Sequence, residues 1–286
     1  MRLKEIKNLL KEYKIGARQG GRVAGGWRPS RRLGQNFLID ERVLRKIIEA
    51  AELSKNDTVL EIGPGIGNLT LELAKKVKKV IATEKDLNLV RILNTELRTK
   101  NIKNVKVINK DILKLEPKTS NLKPNYKVVA NIPYYLTSPL IRKFLETENP
   151  PKEMVLMVQK EVAKRICANP PNMSLLAISV QFYAKPEIIY FVSKESFWPS
   201  PKVDSAIIKI SKIKNQKLKI SDLFFKIVKA GFSQPRKQLI NNLAKGLNFD
   251  KKKVEAWLLK NNIKPSQRAE TLTIEDWLKL TENFIN

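Results

Sequence analysis

At 286 residues with 42% hydrophobic content, the chain can bury a full core, which excludes general disorder and leaves room for one large domain and a small one. Its 55 Lys and Arg against 28 Asp and Glu give a formal charge of +27, so the expected partner is a polyanion, nucleic acid ahead of a membrane. The chain has no histidine and one cysteine, Cys167, which excludes histidine-based hydrolysis, the common zinc chemistries, a disulfide and a cysteine-rich metal site; no metal is expected.

In chain order, residues 2–14 read as a short amphipathic helix with Leu3, Ile6, Leu9, Leu10 and Tyr13 apolar. This start is charged and lacks the apolar core of a signal peptide, and no apolar run approaches the roughly 18–20 residues needed to cross a bilayer. Cytoplasmic location is therefore expected. Residues 16–30 break every pattern, with five of the eleven glycines interleaved with Arg18, Arg22 and Arg28. This segment reads either as a flexible RNA grip, by phosphate contact and stacking of Trp27, or as a surface insertion.

A helix from about Asp40 to Ala51 follows, with Val43, Leu44, Ile47 and Ile48 inward and Asp40 as a candidate cap. The apolar run Thr58 to Ile62 then ends in Gly63-Pro64-Gly65-Ile66-Gly67, and a helical pattern with Leu69, Leu73 and Val77 on one face comes next. A strand, a tight glycine turn and a helix let backbone approach a bound cofactor. The second strand, Val80 to Thr83, ends on Glu84, about 20 residues after the first glycine, where an acid meets ribose hydroxyls in dinucleotide-type folds. A helix from Leu87 to Leu97 leads to the strand Val105 to Ile108 and Asp111, and the strand Lys127 to Ala130 ends in Asn131-Ile132-Pro133-Tyr134. Four apolar strands alternate with helices, and each strand's carboxyl end carries a glycine or a polar residue. In an open parallel sheet those ends share the edge where ligands bind.

Further on come a helix (138–146), a strand (154–158), helices around 160–168 and 174–183, and strands at 188–192 and 206–210, with a rigid Phe197-Trp198-Pro199-Ser200-Pro201 loop between the last two. The lysine-rich stretch 211–219 reads as a boundary, and from Ser221 the pattern is wholly helical. The expected fold is α/β with a mostly parallel sheet and a small all-helical C-terminal domain. The division is 1–30 for the N-terminal helix and Gly/Arg-rich segment, 31–212 for the α/β domain and 218–286 for the helical one.

Asn-Ile-Pro-Tyr at a strand end has a specific chemical use. An exocyclic purine amino group is a poor nucleophile because its lone pair is delocalised into the ring. An amide oxygen (Asn131) and a backbone carbonyl (Ile132 or Pro133) accepting its hydrogens favour a pyramidal nitrogen aimed at an electrophile. No strong base is needed, which suits a chain without histidine. Tyr134 would stack on the extruded base, and Phe197 would form a second aromatic wall, with Trp198 the alternative contact.

Six stretches run in one order from residue 31 to about 245: Arg32-Leu33-Gly34-Gln35-Asn36-Phe37-Leu38, Glu61 to Gly67, Asn131-Ile132-Pro133-Tyr134, Gln159-Lys160-Glu161-Val162-Ala163, Phe197 to Ser205, and Gly231-Phe232-Ser233-Gln234-Pro235-Arg236-Lys237. In these the chain resembles the small-subunit ribosomal RNA adenine dimethyltransferase family (the KsgA type). The resemblance implies a Rossmann-like class I fold, with helices on both faces of the sheet, that uses S-adenosylmethionine as methyl donor and no metal. The implied substrate is a pair of adjacent adenosines in a hairpin loop near the 3′ end of small-subunit (16S) rRNA, each dimethylated. The implied setting is the assembling small ribosomal subunit, with no membrane, and the chain is expected to be a monomer. By the same resemblance Asn36 and Leu38 line the cofactor site with the glycine turn, Gly63 and Gly65, and Gly63 lies against the cofactor's amino-acid part. Glu84 takes the ribose hydroxyls, Asp111 the adenine amino group, and Asn131 the junction of cofactor and target.

The chain departs from the family pattern in its longer Gly/Arg link, at 172–176, and at Pro235, where an arginine is frequent. Three rivals remain: an enzyme that dimethylates a large-subunit rRNA adenine, a non-catalytic nucleic-acid binder on the same fold, and a DNA adenine methyltransferase. Gly63-Pro64-Gly65 and the Phe-x-Pro-x-Pro loop favour the small-subunit reading over the first. Intact Glu84, Asp111 and Asn131 argue against the second, and the lack of a target-recognition domain against the third.

Overall fold

The computed structural model describes residues 29–30, 34–115, 122, 124–213 and 220–285. The expected N-terminal helix, nearly all of the Gly/Arg-rich segment and most of the lysine-rich boundary lie outside them.

The described strands are β1 (Phe37–Leu38), β2 (Thr58–Ile62), β3 (Lys79–Glu84), β4 (Val105–Asn109), β5 (Lys127–Asn131), β6 (Glu153–Gln159), β7 (Lys185–Val192), β8 (Phe197–Trp198) and β9 (Ser205–Ser211). Seven form one sheet in the order β4-β3-β2-β5-β6-β9-β7, in which β4, β3, β2, β5 and β6 are parallel and β9 runs antiparallel to β6. Helix α1 (Glu41–Ala50) precedes β2, and α2 (Asn68–Lys76), α3 (Leu87–Thr99) and α4 (Thr137–Leu145) follow β2, β3 and β5. Asp40 caps α1 as expected, accepting the Arg42 N–H at 2.9 Å.

Both faces of the sheet are covered. Val59, Val80, Val129 and Val155 join the helix residues Ile47, Leu73 and Leu93 in one core cluster. The intervening Leu60, Ile81, Val128 and Met154 point to the opposite face, because side chains alternate along a strand, and are equally buried. Strands buried on both faces are the near-continuous apolar runs visible in the sequence.

The Phe197–Pro201 segment is more than a loop. Phe197 and Trp198 pair antiparallel with Leu38 and Phe37, and the Ile39 N–H reaches the Ser196 carbonyl at 2.9 Å. The rings of Phe37 and Trp198 stack with centroids 6.5 Å apart.

The contacts divide the chain into two units, and the division differs from the one drawn on the sequence. The first holds the described residues up to Ala163 together with Glu187–Lys212, and the second holds Lys164–Pro186 and the described residues from Ile213 onward. Residues 164–186, assigned to the α/β domain from sequence, fall with the helical part. The physical reason is aromatic packing, since the rings of Phe182 and Phe224 lie 4.2 Å apart at their centroids. The second unit is helical, comprising α6 (Leu175–Gln181), α7 (Ser221–Gly231), α8 (Leu239–Leu247), α9 (Lys251–Lys260) and α10 (Ile274–Glu282). The short α5 (Lys160–Ile166) begins in the first unit and ends in the second. Trp257 and Trp277 are fully buried within the helical unit.

Candidate active site

The carboxyl ends of β2, β3 and β5 open on one cleft of about 1090 Å³ including its mouth. Its walls include Asn36, Leu38, Gly63, Gly65, Glu84, Asp111, Asn131, Tyr134 and Phe197, all expected from sequence at the site. These come from six separate segments: parallel strand direction brings the ends of β2, β3, β4 and β5 to one edge, and the pairing of β1 with β8 adds Asn36, Leu38 and Phe197.

The glycine turn is tight for two reasons. Gly63 has φ +66°, and a Cβ there would meet Pro133 Cδ at 3.7 Å, so the turn lies directly against the Asn-Ile-Pro-Tyr segment. Gly65 has φ +59°, and its Cβ would come within 3.1 Å of the Phe37 ring. Both positions need a left-handed backbone that side chains disfavour. The cradle is thus open to a ligand because glycine leaves it open.

Glu84 ends β3 only 8% exposed. Its carboxylate accepts the Asp86 N–H at 2.8 Å and the Gly65 N–H at 3.3 Å, which fixes it beside the turn. Burial pushes its pKa up, against the lowering effect of those two N–H groups. Asp86 in turn caps α3 and accepts the side-chain amide of Gln35 at 3.0 Å. Asp111 takes the Leu113 N–H at 3.0 Å and the Lys85 ammonium at 2.9 Å, and the Lys85 contact leads in holding its pKa below the usual carboxylate range.

Asn131 donates its amide N–H to the Asn36 carbonyl at 3.3 Å, so the expected cofactor-lining segment and the expected catalytic residue touch. Pro133 offers its carbonyl to the Leu136 N–H at 2.9 Å, starting the 3-10 turn Tyr134–Leu136. The Tyr134 hydroxyl bonds the Ser205 hydroxyl at 2.7 Å, which ties the ring to β9. Phe197 reaches the cleft but is only 3% exposed, packed into the core cluster from β8. Trp198, the alternative aromatic, stacks on Phe37 and does not line the cleft.

Two residues that sequence reasoning passed over belong to the site. Glu61, the residue two before the first glycine, is 1% exposed, and burial raises its pKa to about 8. Its Oε2 has no hydrogen-bond partner among the described residues. The signal was in the strand alternation, since Glu61 interrupts an otherwise apolar buried run. Asn68, at the start of α2, donates to the Leu38 carbonyl at 2.7 Å and holds β1 over the cleft, while its own Oδ1 is buried and unpartnered.

A family model described as "Ribosomal RNA adenine dimethylase" matches residues 28–286. The chain is 44% identical over 287 residues to "Ribosomal RNA small subunit methyltransferase A" of Dehalococcoides mccartyi, covering 98% of this chain and 94% of that one. A protein of the same description from Clostridium botulinum is 44% identical over 258 residues, covering 88% and 93%. Among solved structures, a dimethyladenosine transferase from Plasmodium falciparum superposes with a TM-score of 0.72 at 30% identity, covering 86% of this chain and 98% of that one. The 23S rRNA methyltransferase ErmE also gives 0.72, at 28% identity, covering 87% and 99%.

Proposed function

The chain belongs to the ribosomal RNA adenine dimethylase family, and from that premise we propose a role for each group in the cleft. The protein is an adenine dimethyltransferase of small-subunit ribosomal RNA, and the donor in this reading is S-adenosylmethionine. The acceptors are two adjacent adenosines of a hairpin near the 3′ end. The same reading places them in the assembling small subunit and takes the chain as a monomer.

The residues fit that donor. The glycine cradle is bare of Cβ atoms, and Glu61 Oε2 and Asn68 Oδ1 are buried polar atoms in its wall without partners among the described residues. The donor supplies an electrophilic methyl group on a sulfonium. Glu84, held by two backbone N–H groups, keeps lone pairs for the ribose hydroxyls. Asp111 keeps acceptor capacity beyond Lys85 and Leu113 for an adenine amino group. Asn36, Leu38 and Gly63 close around the amino-acid part.

On the acceptor side, Asn131 uses its amide N–H on Asn36, and its Oδ1 takes one hydrogen of the target amino group. The Leu136 N–H occupies one lone pair of Pro133 O, which leaves Ile132 O as the freer acceptor for the other hydrogen. The amino nitrogen is held pyramidal with its lone pair toward the methyl group, and its proton leaves to water after transfer. Catalysis is then alignment and charge placement, without a general base. Tyr134, fixed by Ser205, stacks on the base, and Phe197 closes the pocket from the core side.

The observation that carries the reading is the direct contact of Asn131 with Asn36, which joins the two halves of the site. The test incubates the protein with methyl-labelled S-adenosylmethionine and ribosomal subunits lacking the modification, then identifies labelled nucleosides. Dimethyladenosine confined to the 3′-terminal hairpin of small-subunit rRNA is the expected result. Label in large-subunit rRNA instead would overturn it.

A further inference from the structure

A second concavity lies at the opposite edge of the sheet, where β2, β3 and β4 begin and β5 is entered. Its lining includes Lys78, Lys79, Lys103 and Lys106. None of the four forms an ion pair with a described residue; Lys78, Lys103 and Lys106 are exposed and Lys79 is half-buried. The one acid in the groove, Asp57, is already engaged, accepting the Ser54 N–H at 2.8 Å and facing Lys127 at 3.4 Å. Backbone hydrogen bonds fix the arrangement: the Lys78 N–H reaches the Asp57 carbonyl at 3.1 Å, and the Val80 N–H the Asn104 carbonyl at 2.9 Å. Asn104 spends its amide on the Ala74 and Val77 carbonyls at the end of α2.

Four ammonium groups in a concave wall without counter-charge fit a polyanion. The groove offers no stacking surface, since its one aromatic, Tyr126, is buried. Such a wall contacts a phosphate backbone and does not read bases. Strands of five or six residues at about 3.3 Å each put it some 15–20 Å from the cleft, facing the other way. The nucleotides that enter the cleft do not reach it.

We propose that this lysine groove is a second RNA-binding surface, which holds the phosphate backbone of a duplex segment distant from the target hairpin in the same folded RNA. The proposal rests on ribosomal RNA being the substrate, as read above. Its consequence is that the groove contributes to affinity for the complete small-subunit particle and not for the isolated hairpin.

The test uses the full chain with Lys78, Lys79, Lys103 and Lys106 all changed to Gln, beside a control with all four changed to Arg. Binding to unmethylated small subunits and to the isolated hairpin is measured across a salt series, with KM and kcat for whichever is methylated. For the particle, the Gln variant should bind at least about ten-fold more weakly at moderate salt, with a log–log salt slope shallower by about 3 to 4. The Arg variant should restore both, and hairpin binding and kcat should not move. Unchanged particle affinity and slope would overturn the proposal, and so would an equal loss on the hairpin. Binding is read without catalysis, so absence of methyl transfer in the wild type would count against the enzymatic reading alone.

Discussion

Asn131 and Glu61 are the two side chains at which the site's chemistry is most exposed to test. Replacing Asn131 by Ala removes the bond to the Asn36 carbonyl and, in the proposed mechanism, the acceptor that holds the target amino group. The expected result is a fall in kcat of about two orders of magnitude or more, comparable to loss of a preorganised polar contact elsewhere, with RNA affinity nearly intact. Single-turnover methylation beside filter binding checks it, and normal turnover in that variant would sink the amino-group mechanism. Glu61 makes a pH prediction. Its ordinary pKa is near 4.5, and burial raises the folded value to about 8. Between those values the folded state holds a proton that the unfolded chain releases, so this group's contribution to stability falls as pH rises and levels off above about 8. Glu61→Gln removes the dependence. Relative to wild type, cofactor-free variant should therefore gain stability from pH 5 to 8, by at most about 1.4 kcal/mol per pH unit, in urea unfolding. A gap that stays constant with pH would mean that Glu61 is ionised in the fold throughout.

Strand β5 shows how one element is anchored at one end so that the other can work. At its start the Lys127 ammonium, 4% exposed, bonds the Ala51 and Glu52 carbonyls at 2.8 Å each and pairs with Glu153 at 2.9 Å. At its end sits Asn131. Lys127→Met would strand the buried Glu153 carboxylate with Lys209 at 3.4 Å as its remaining cation. A loss of about 3–5 kcal/mol in unfolding free energy is expected, since removing one partner leaves a buried charge uncompensated. A loss below 1 kcal/mol in chemical denaturation would show that the cluster is hydrated. The strand itself was legible in the sequence as an apolar run ending in a polar residue, and so were β2, β3 and β4. The pairing of β1 with β8 was not: some 160 residues separate Phe37 from Trp198, and periodicity reports only local geometry. For the same reason residues 164–186 read as a continuation of the α/β domain, whereas the ring contact between Phe182 and Phe224 ties them to the helices. Gly63, Glu84, Asp111 and Asn131 lie together because each follows a parallel strand, whereas Asn36, Leu38 and Phe197 join them through the β1–β8 pairing that periodicity does not report. Glu61 opens the Glu61–Gly67 stretch, but the sequence signal there lies in the glycines and assigns it no role, and its burial shows only in the fold.

For the molecule as a whole, the sequence specified the sign of the partner's charge but not where that partner is gripped. A charge of +27 implies affinity for RNA; only the fold shows that four lysines of the described chain line a groove away from the cleft. The two properties separate in a salt titration. Contacts between exposed cations and phosphates release counterions, so binding weakens steeply with salt, by about 10³ or more between 50 and 200 mM for six or more phosphates. In the proposed mechanism the transfer step has no such dependence, because it relies on the buried Glu84 carboxylate, the fixed Asn131 amide and the Tyr134 ring in a partly enclosed cleft. With unmethylated small subunits as substrate, KM should therefore rise steeply from 50 to 200 mM potassium chloride, while kcat at saturating RNA stays within about two-fold. Initial rates at three salt concentrations decide it. A kcat that fell in step with kcat/KM would mean that RNA contacts made only in the transition state carry the catalysis, and that the cleft residues do not suffice to align the two reactants.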